Sequence, residues 1–278
     1  MHTLGKRAYR KVSGVRIPPL PHFPKDFNFM ENQIPGARGG IHPSLKLIDI
    51  GEQYGRHILE QFAQKIEKAD IVCDLGVGGG EDLLRFKKYH QSAKLIGIDF
   101  TDKLKNDLAN KNITLQIKNI EKETLDFTDE EVDVFVANQT LEHIKEIFWL
   151  NDQIAAKLRI GGYLIIGLPN ISSLHNRILF LFGRQPTQQK TYSAHVRGFS
   201  HNEIVNFFNV CFPGGYKLIE KKGAQFYPFP KFVARFLSAI LPSLAFSSFY
   251  LFKKARKYNG EFLKHPVEAE LETNFFIG

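Results

Sequence analysis

The chain has 278 residues, 43% hydrophobic and 24% charged, with a formal net charge of +8. That length can bury a full core, and the composition is ordinary for a globular protein. Its two cysteines, Cys73 and Cys211, exclude a disulfide framework and fit a reducing compartment. No Cys/His run has metal-ligand spacing, so no metal site is expected.

Residues 1–29 are basic and proline-rich, lack helical or strand periodicity, and have no apolar core for a secretory signal. Val15-Arg16-Ile17 is encodable by GTT CGA ATC, the loop near the 3′ end of bacterial tRNA genes. Two readings stay open: a start codon placed too early, with Met30 as the true start, or a native basic arm for nucleic acid or membrane. This segment holds six Lys/Arg against one Asp, so +5 of the +8 lies in it.

From about Ile41 to Ala69 the pattern predicts helix, with Ile58, Leu59, Phe62 and Ile66 on one face. Strands and helices then alternate. Strands are predicted at 69–75, 93–100, 113–118, 132–138 and 161–169, and helices at 81–90, 102–110 and 144–158. Parallel neighbours need crossovers that cover both faces, so this alternation predicts a doubly wound parallel sheet. No internal repeat is visible.

The stretch "DLGVGGGED" (74–82) follows the first strand and opens the first crossover helix. In an open parallel sheet the ligand crevice lies beyond the carboxyl ends of the strands. Glycine there lets backbone approach a ligand that a Cβ would repel. A dinucleotide fingerprint counted from Gly76 and Gly78 needs a glycine at 81, where Glu81 stands, and no Lys-Ser/Thr follows to make a P-loop. The acidic strand end argues against a polyphosphate and for a cationic ligand.

With "DLGVGGGE", "IGID", "VANQTLEHI" and "LRIGGYLIIGLPN" in this order, the chain resembles the class I S-adenosylmethionine-dependent methyltransferases over roughly residues 50–225. The resemblance implies a Rossmann-like seven-stranded mixed sheet of order 3-2-1-4-5-7-6, with strand 7 antiparallel and helices on both faces. It implies S-adenosyl-L-methionine as cofactor. Gly76, Gly78 and Gly80 would line its methionyl and ribose part, Asp74 would lie near its amino group, and Asp99 would grip both ribose hydroxyls. Asn138 and Gln139 would border it. Relatives often carry Asp after the third strand for the adenine amino group; here Asn119 stands there, an acceptor without charge.

His143, at a strand-to-helix turn, is a candidate catalytic group. So is His195 in "HVRGFS", a string that recurs in relatives attached to glycan and lipid-linked pathways. His175, Arg177, His195 and Arg197, in the connection after the fifth strand, are candidate acceptor contacts. Each histidine has a plainer reading as a packed structural residue. Ser200 to Glu203 fits a capping box, and His201 reads as a surface residue in the first helical turn.

Strands six and seven are expected at 216–222 and 247–256, with an apolar and basic insertion at 226–246. From Lys221 to Gly260 there are eight Lys/Arg and no Asp or Glu. A membrane crossing at 232–252 would put the two flanking strands on opposite sides. A helix over Pro230–Leu241 lying in the membrane plane fits better. Phe232, Val233, Phe236, Leu237, Ile240 and Leu241 would form its apolar side, with Lys231 and Arg235 towards lipid headgroups. A lid over the acceptor and a dimer surface are the other readings.

The expected organisation is residues 1–29 outside the fold, a methyltransferase domain over 30–256, and a tail over 257–278. The expected activity is methyl transfer to a hydroxyl of a glycan, a lipid-linked intermediate or a quinone-like small molecule. The expected setting is cytoplasmic, at the inner face of a membrane, with an anionic surface met through 226–256. RNA methylation and a non-catalytic cofactor-binding scaffold at a membrane complex are the alternatives. Nucleic acid is not an expected partner, because no RNA-binding module and no "NPPY"-type motif is recognisable.

Overall fold

A computed structural model describes residues 50–271. The start-site and basic-arm readings fall outside that range. Seven strands form one sheet: β1 (Ile71–Leu75), β2 (Lys94–Asp99), β3 (Ile113–Ile117), β4 (Val132–Asn138), β5 (Leu158–Pro169), β6 (Tyr216–Ala224) and β7 (Ser247–Lys254). Their order is β3-β2-β1-β4-β5-β7-β6, and β7 runs antiparallel to both neighbours.

Eight α-helices accompany it among the described residues: α1 (Arg56–Lys65), α2 (Glu81–Tyr89), α3 (Lys105–Asn110), α4 (Ile147–Lys157), α5 (Leu174–Leu181), α6 (Glu203–Cys211), α7 (Lys231–Ile240) and α8 (Glu261–Glu268). The period-two alternation of strand side chains divides the core into two layers. Val72, Val134, Val136 and Leu251 pack with Phe62 of α1 and Phe86 of α2. Cys73, Leu75, Phe135 and Phe252 face the other way, towards Leu150 of α4, Phe208 of α6 and Phe262 of α8.

Several expected boundaries move for identifiable reasons. The helix expected over 41–69 is a 3₁₀ turn at Ile50–Tyr54 followed by α1, with its expected start at 41–49 outside the described residues. Gly55 breaks it with φ +52, and a Cβ there would overlap the Phe249 ring at 2.2 Å. β5 begins three residues early because a bulge between Val132 and Val134 absorbs Gly161 and Gly162; a Cβ at Gly162 would press on the Asp133 carbonyl at 2.9 Å. The expected tail contains α8, whose Phe262 is fully buried in an aromatic cluster with Phe207, Phe208 and Phe212.

His201 is buried rather than on the surface. Its Nδ1 lies 2.7 Å from Ser248 Oγ, and its carbonyl accepts from the Tyr250 hydroxyl at 2.8 Å. The expected capping box is replaced by a main-chain bond from Glu203 N–H to the Ser200 carbonyl at 3.1 Å, with Asn202 at the cap.

Candidate active site

The glycine loop leaves β1 and turns back over the end of β2. The N–H groups of Gly76 and Val77 both donate to the Ile98 carbonyl, at 2.8 and 3.1 Å. Gly76, Gly78 and Gly80 have φ of +79, +46 and +77. Their surroundings differ. A Cβ at Gly80 would strike Ile113 and Leu108, and one at Gly76 would meet Thr140 Oγ1 at 3.0 Å, but one at Gly78 or Gly79 meets nothing within 4 Å. Lys111 anchors the loop from behind, donating to the Gly79 carbonyl at 2.7 Å. The open side of the loop is therefore at Gly78 and Gly79.

Three carboxyl groups stand by that opening. Asp74 is 3% exposed. Its burial, with the negative fields of Asp82 and Asp99, holds its carboxyl well above the usual range. Asp82, in the first turn of α2, is also pushed up by burial, against the pull of a 2.7 Å hydrogen bond from Asn138 Nδ2 and of Arg56, 3.7 Å away. Asp99 ends β2, accepting from Gly78 N–H at 3.4 Å and Thr101 N–H at 3.3 Å. Phe100 beside it is 82% exposed. An open backbone cradle bordered by mutually repelling, buried or partly buried carboxyls fits a ligand that carries positive charge and hydroxyl donors.

The end of β4 closes one side. Asn138 Nδ2 also donates to the Tyr54 carbonyl at 3.1 Å, so Asn138 ties the turn before α1 to α2. Its Oδ1 is buried and unpartnered among the described residues, as is Gln139 Nε2. Gln139 holds φ +56, with its N–H on the Gly167 carbonyl at 2.8 Å. Asn119 lies just past β3 and is exposed, its Oδ1 accepting from Glu121 N–H at 3.0 Å in a local turn.

Beyond Thr140 a 3₁₀ turn, Leu141–His143, brings His143 to the loop that follows α5. The rings of His143 and His195 meet edge-on, 4.7 Å between centroids. Glu142 lies beneath them, 1% exposed, and burial pushes its carboxyl up to about 8. Burial, then the neighbouring His143, lowers the His195 pKa.

The other candidate acceptor contacts do not join this pair. His175 is buried, its Nε2 2.9 Å from Thr187 Oγ1 and its ring edge-on to Tyr227. Arg177 donates to the Ser172 carbonyl at 2.8 Å, and Arg197 to the carbonyls of Ile144 and Lys145 at 3.1 and 2.8 Å. Both guanidinium groups hold loop backbone.

Sequence reasoning missed Asp82, Glu142 and Phe100. Glu142 sat inside the quoted "LEHI" block, but a glutamate before a helix start reads as solvent-exposed. Asp82 reads as an ordinary first-turn acid. Lys231 and Arg235, expected towards lipid headgroups, are exposed and also pair with Glu52, a buried carboxylate: Lys231 Nζ is 3.0 Å from it, and the Arg235 guanidinium grips it at 2.8 and 3.0 Å.

The methyltransferase-domain family matches residues 66–208, just over half of the chain. No curated protein sequence matches it. Among solved structures, a chain of the Haloferax volcanii complex between the Trm112 methyltransferase activator and a methyltransferase superposes with a TM-score of 0.54. It is 15% identical, and the match covers 74% of this chain and 90% of that one. A Thermotoga maritima SAM-dependent methyltransferase scores 0.51 at 19% identity, over 73% and 90% of the two chains. The N-methyltransferase NodS of Bradyrhizobium japonicum, in complex with S-adenosyl-L-homocysteine, scores 0.51 at 12% identity, over 75% and 89%. With the family match over the glycine loop and β4, and a sheet of this order, the chain belongs to the class I methyltransferases, whose cofactor is S-adenosylmethionine.

Proposed function

We propose that the protein transfers a methyl group to a hydroxyl oxygen of a lipid-linked or other apolar acceptor. The observation that carries this reading is the adjacency of two unlike surfaces along the carboxyl ends of the strands. One is the acidic cradle at Gly78, Gly79, Asp74 and Asp99. The other is the Glu142–His143–His195 cluster, reached through the last residues of β4.

When bound, S-adenosylmethionine supplies a sulfonium-activated methyl group. The chain's own residues bind and orient. Asp99 accepts hydrogen bonds from ribose hydroxyls, and the exposed face of Phe100 beside it offers a stacking surface for the base. Asp74 and Asp82 lie where positive charge relieves their mutual repulsion. Asn138 Oδ1 and Gln139 Nε2 are one spare acceptor and one spare donor at the cradle's edge. The histidine cluster is where an acceptor hydroxyl is oriented and loses its proton.

The apolar character of the acceptor rests on α7. Phe232, Phe236 and Ile240 recur at i, i+4 and i+8 and are 77%, 65% and 57% exposed. Such a stripe suits contact with a lipid surface that carries the acceptor. No helix among the described residues is long and apolar enough to cross a membrane.

The test is calorimetric titration with S-adenosylmethionine, followed by adenosylhomocysteine release with membrane extracts and with soluble acceptors. Wild type should bind the cofactor and turn over on the lipid fraction. Asp99→Ala, losing hydrogen bonds to a charged acceptor worth about 1.5–3 kcal/mol each, should bind at least about tenfold more weakly while keeping its circular dichroism spectrum. Turnover confined to water-soluble acceptors or to RNA rejects the lipid-linked reading, and binding without turnover on any fraction favours a scaffold.

A further inference from the structure

Glu142 and His143 sit on the 3₁₀ turn after β4, and His195 sits on the loop between α5 and α6. Each offers one donor atom, and the three atoms lie within 4.8 Å of one another. Main-chain bonds hold the two segments together: the Glu142 carbonyl accepts from the N–H groups of Val196 and Arg197, at 2.9 and 3.1 Å.

The ring hydrogen of His143 points away from the centre. His143 Nδ1 is 3.1 Å from the Ala194 carbonyl, which can only accept. Nδ1 therefore carries the hydrogen, and Nε2, 3.9 Å from Glu142 Oε1, presents a lone pair. His195 Nδ1 is buried and unpartnered among the described residues. Neither carboxylate oxygen of Glu142 takes a hydrogen bond from another described residue. Buried polar atoms without a partner thus face one another, where an unsatisfied group is costly. An imidazole tied from behind to a backbone carbonyl, with its other nitrogen beside a carboxylate and a second imidazole, is an arrangement that orients metal ligands.

We propose that Glu142, His143 and His195 bind one divalent transition-metal ion of the zinc class. Two imidazoles and a carboxylate suit Zn²⁺, Co²⁺, Ni²⁺ or Fe²⁺, whereas Mg²⁺ and Ca²⁺ take oxygen donors. The donors close inward on binding, to about 2.0–2.2 Å from a common ion. The partly exposed rings of His143 and His195, on a turn and a loop, leave room for that movement. Three protein donors leave a tetrahedral ion one open position, which would hold the acceptor oxygen. That role rests on the methyl-transfer reading; the binding of the ion does not.

The test uses tag-free full-length protein stripped with a chelator and titrated with Co²⁺, then with Zn²⁺. Wild type should take up a stoichiometric amount of Co²⁺, with visible ligand-field absorption that Zn²⁺ abolishes. Glu142→Gln, which keeps the side-chain shape, and His143→Ala/His195→Ala should lose at least about 100-fold in affinity. His195→Ala alone, on the loop, should also lose it and guards against misfolding of the other two. Thermal unfolding and S-adenosylmethionine calorimetry on each preparation show that the cradle is intact. Absence of stoichiometric uptake by wild type, or uptake unchanged in the folded variants, overturns the proposal. Metal uptake without cofactor binding would sustain it and sink the methyl-transfer reading; the reverse pattern would do the opposite.

Discussion

A Cβ added at Gly80 would fall 2.5 Å from Ile113 Cδ1 and 2.9 Å from Leu108 Cδ2, while one added at Gly78 meets no atom within 4 Å. Gly80→Ala should therefore act on the fold. Overpacking and left-handed strain together cost about 2–4 kcal/mol, seen as a lower urea midpoint. Gly78→Val should cost about 1–2 kcal/mol from strain alone but weaken cofactor binding by at least about tenfold in calorimetry. If Gly78→Val binds normally, the open space at that residue is not the cofactor's. His201 gives a second prediction at this scale. Burial, and then Lys221, hold its pKa at about 4 against 6.5 when unfolded, and Ser248 Oγ and the Tyr250 ring also face it. The unfolded chain binds the extra proton between those values. Stability from this group is thus full above pH 6.5 and falls as pH drops towards 4, by on the order of 2–3 kcal/mol. His201→Gln should flatten that part of the stability profile in urea titrations at stepped pH; an unchanged slope assigns it to other groups.

At the scale of elements, α4 ends on a buried lysine from another strand. Lys254, 1% exposed at the end of β7, donates to the Ala155 and Leu158 carbonyls at 2.8 and 2.6 Å. These are unpaired acceptors at a helix C-terminus, where a cation also opposes the helix dipole. Burial lowers the Lys254 pKa. Lys254→Met fills a similar volume but leaves both carbonyls dry, and should destabilise by roughly 2–4 kcal/mol in chemical unfolding, with cofactor affinity unchanged. A stability change below about 0.5 kcal/mol would mean that water takes over the carbonyls. Asp133 does comparable work at the foot of the sheet: its carboxylate accepts from the Asp70 and Ile71 N–H groups, both at 2.8 Å, and pairs with Arg159.

Across the whole molecule, part of the basic charge of the C-terminal third is paired within the fold. Lys231 and Arg235 share Glu52, Lys254 is buried, Arg256 pairs with Glu261, and Lys222 with Glu220. Attraction to anionic lipid, about 1 kcal/mol for each Lys/Arg near the surface, is correspondingly reduced. Membrane contact through α7 should then be chiefly apolar. Purified protein should float with liposomes in a manner only weakly sensitive to salt, and Phe232→Ser/Phe236→Ser should cut flotation without changing cofactor affinity. A raised Michaelis constant without flotation would make α7 a lid, and a change of oligomeric state would make it a subunit interface.

Element type and order were legible in the sequence because they follow from local rules. Short apolar runs at 71–75 and 132–138, the glycine punctuation after Asp74 and the crossover helices specify the parallel half of the sheet. The resemblance supplied the position of β7. The cradle was legible too, since Gly78 and Asp99 sit at strand ends that the alternation locates. Tertiary structure alone separated Gly78 from Gly80, because their difference lies in Leu108 and Ile113, distant in sequence. It also paired Lys231 and Arg235 with Glu52, and brought His195 onto Glu142 and His143. Those partners are chosen by packing and register across the chain, which no local pattern of residue types records.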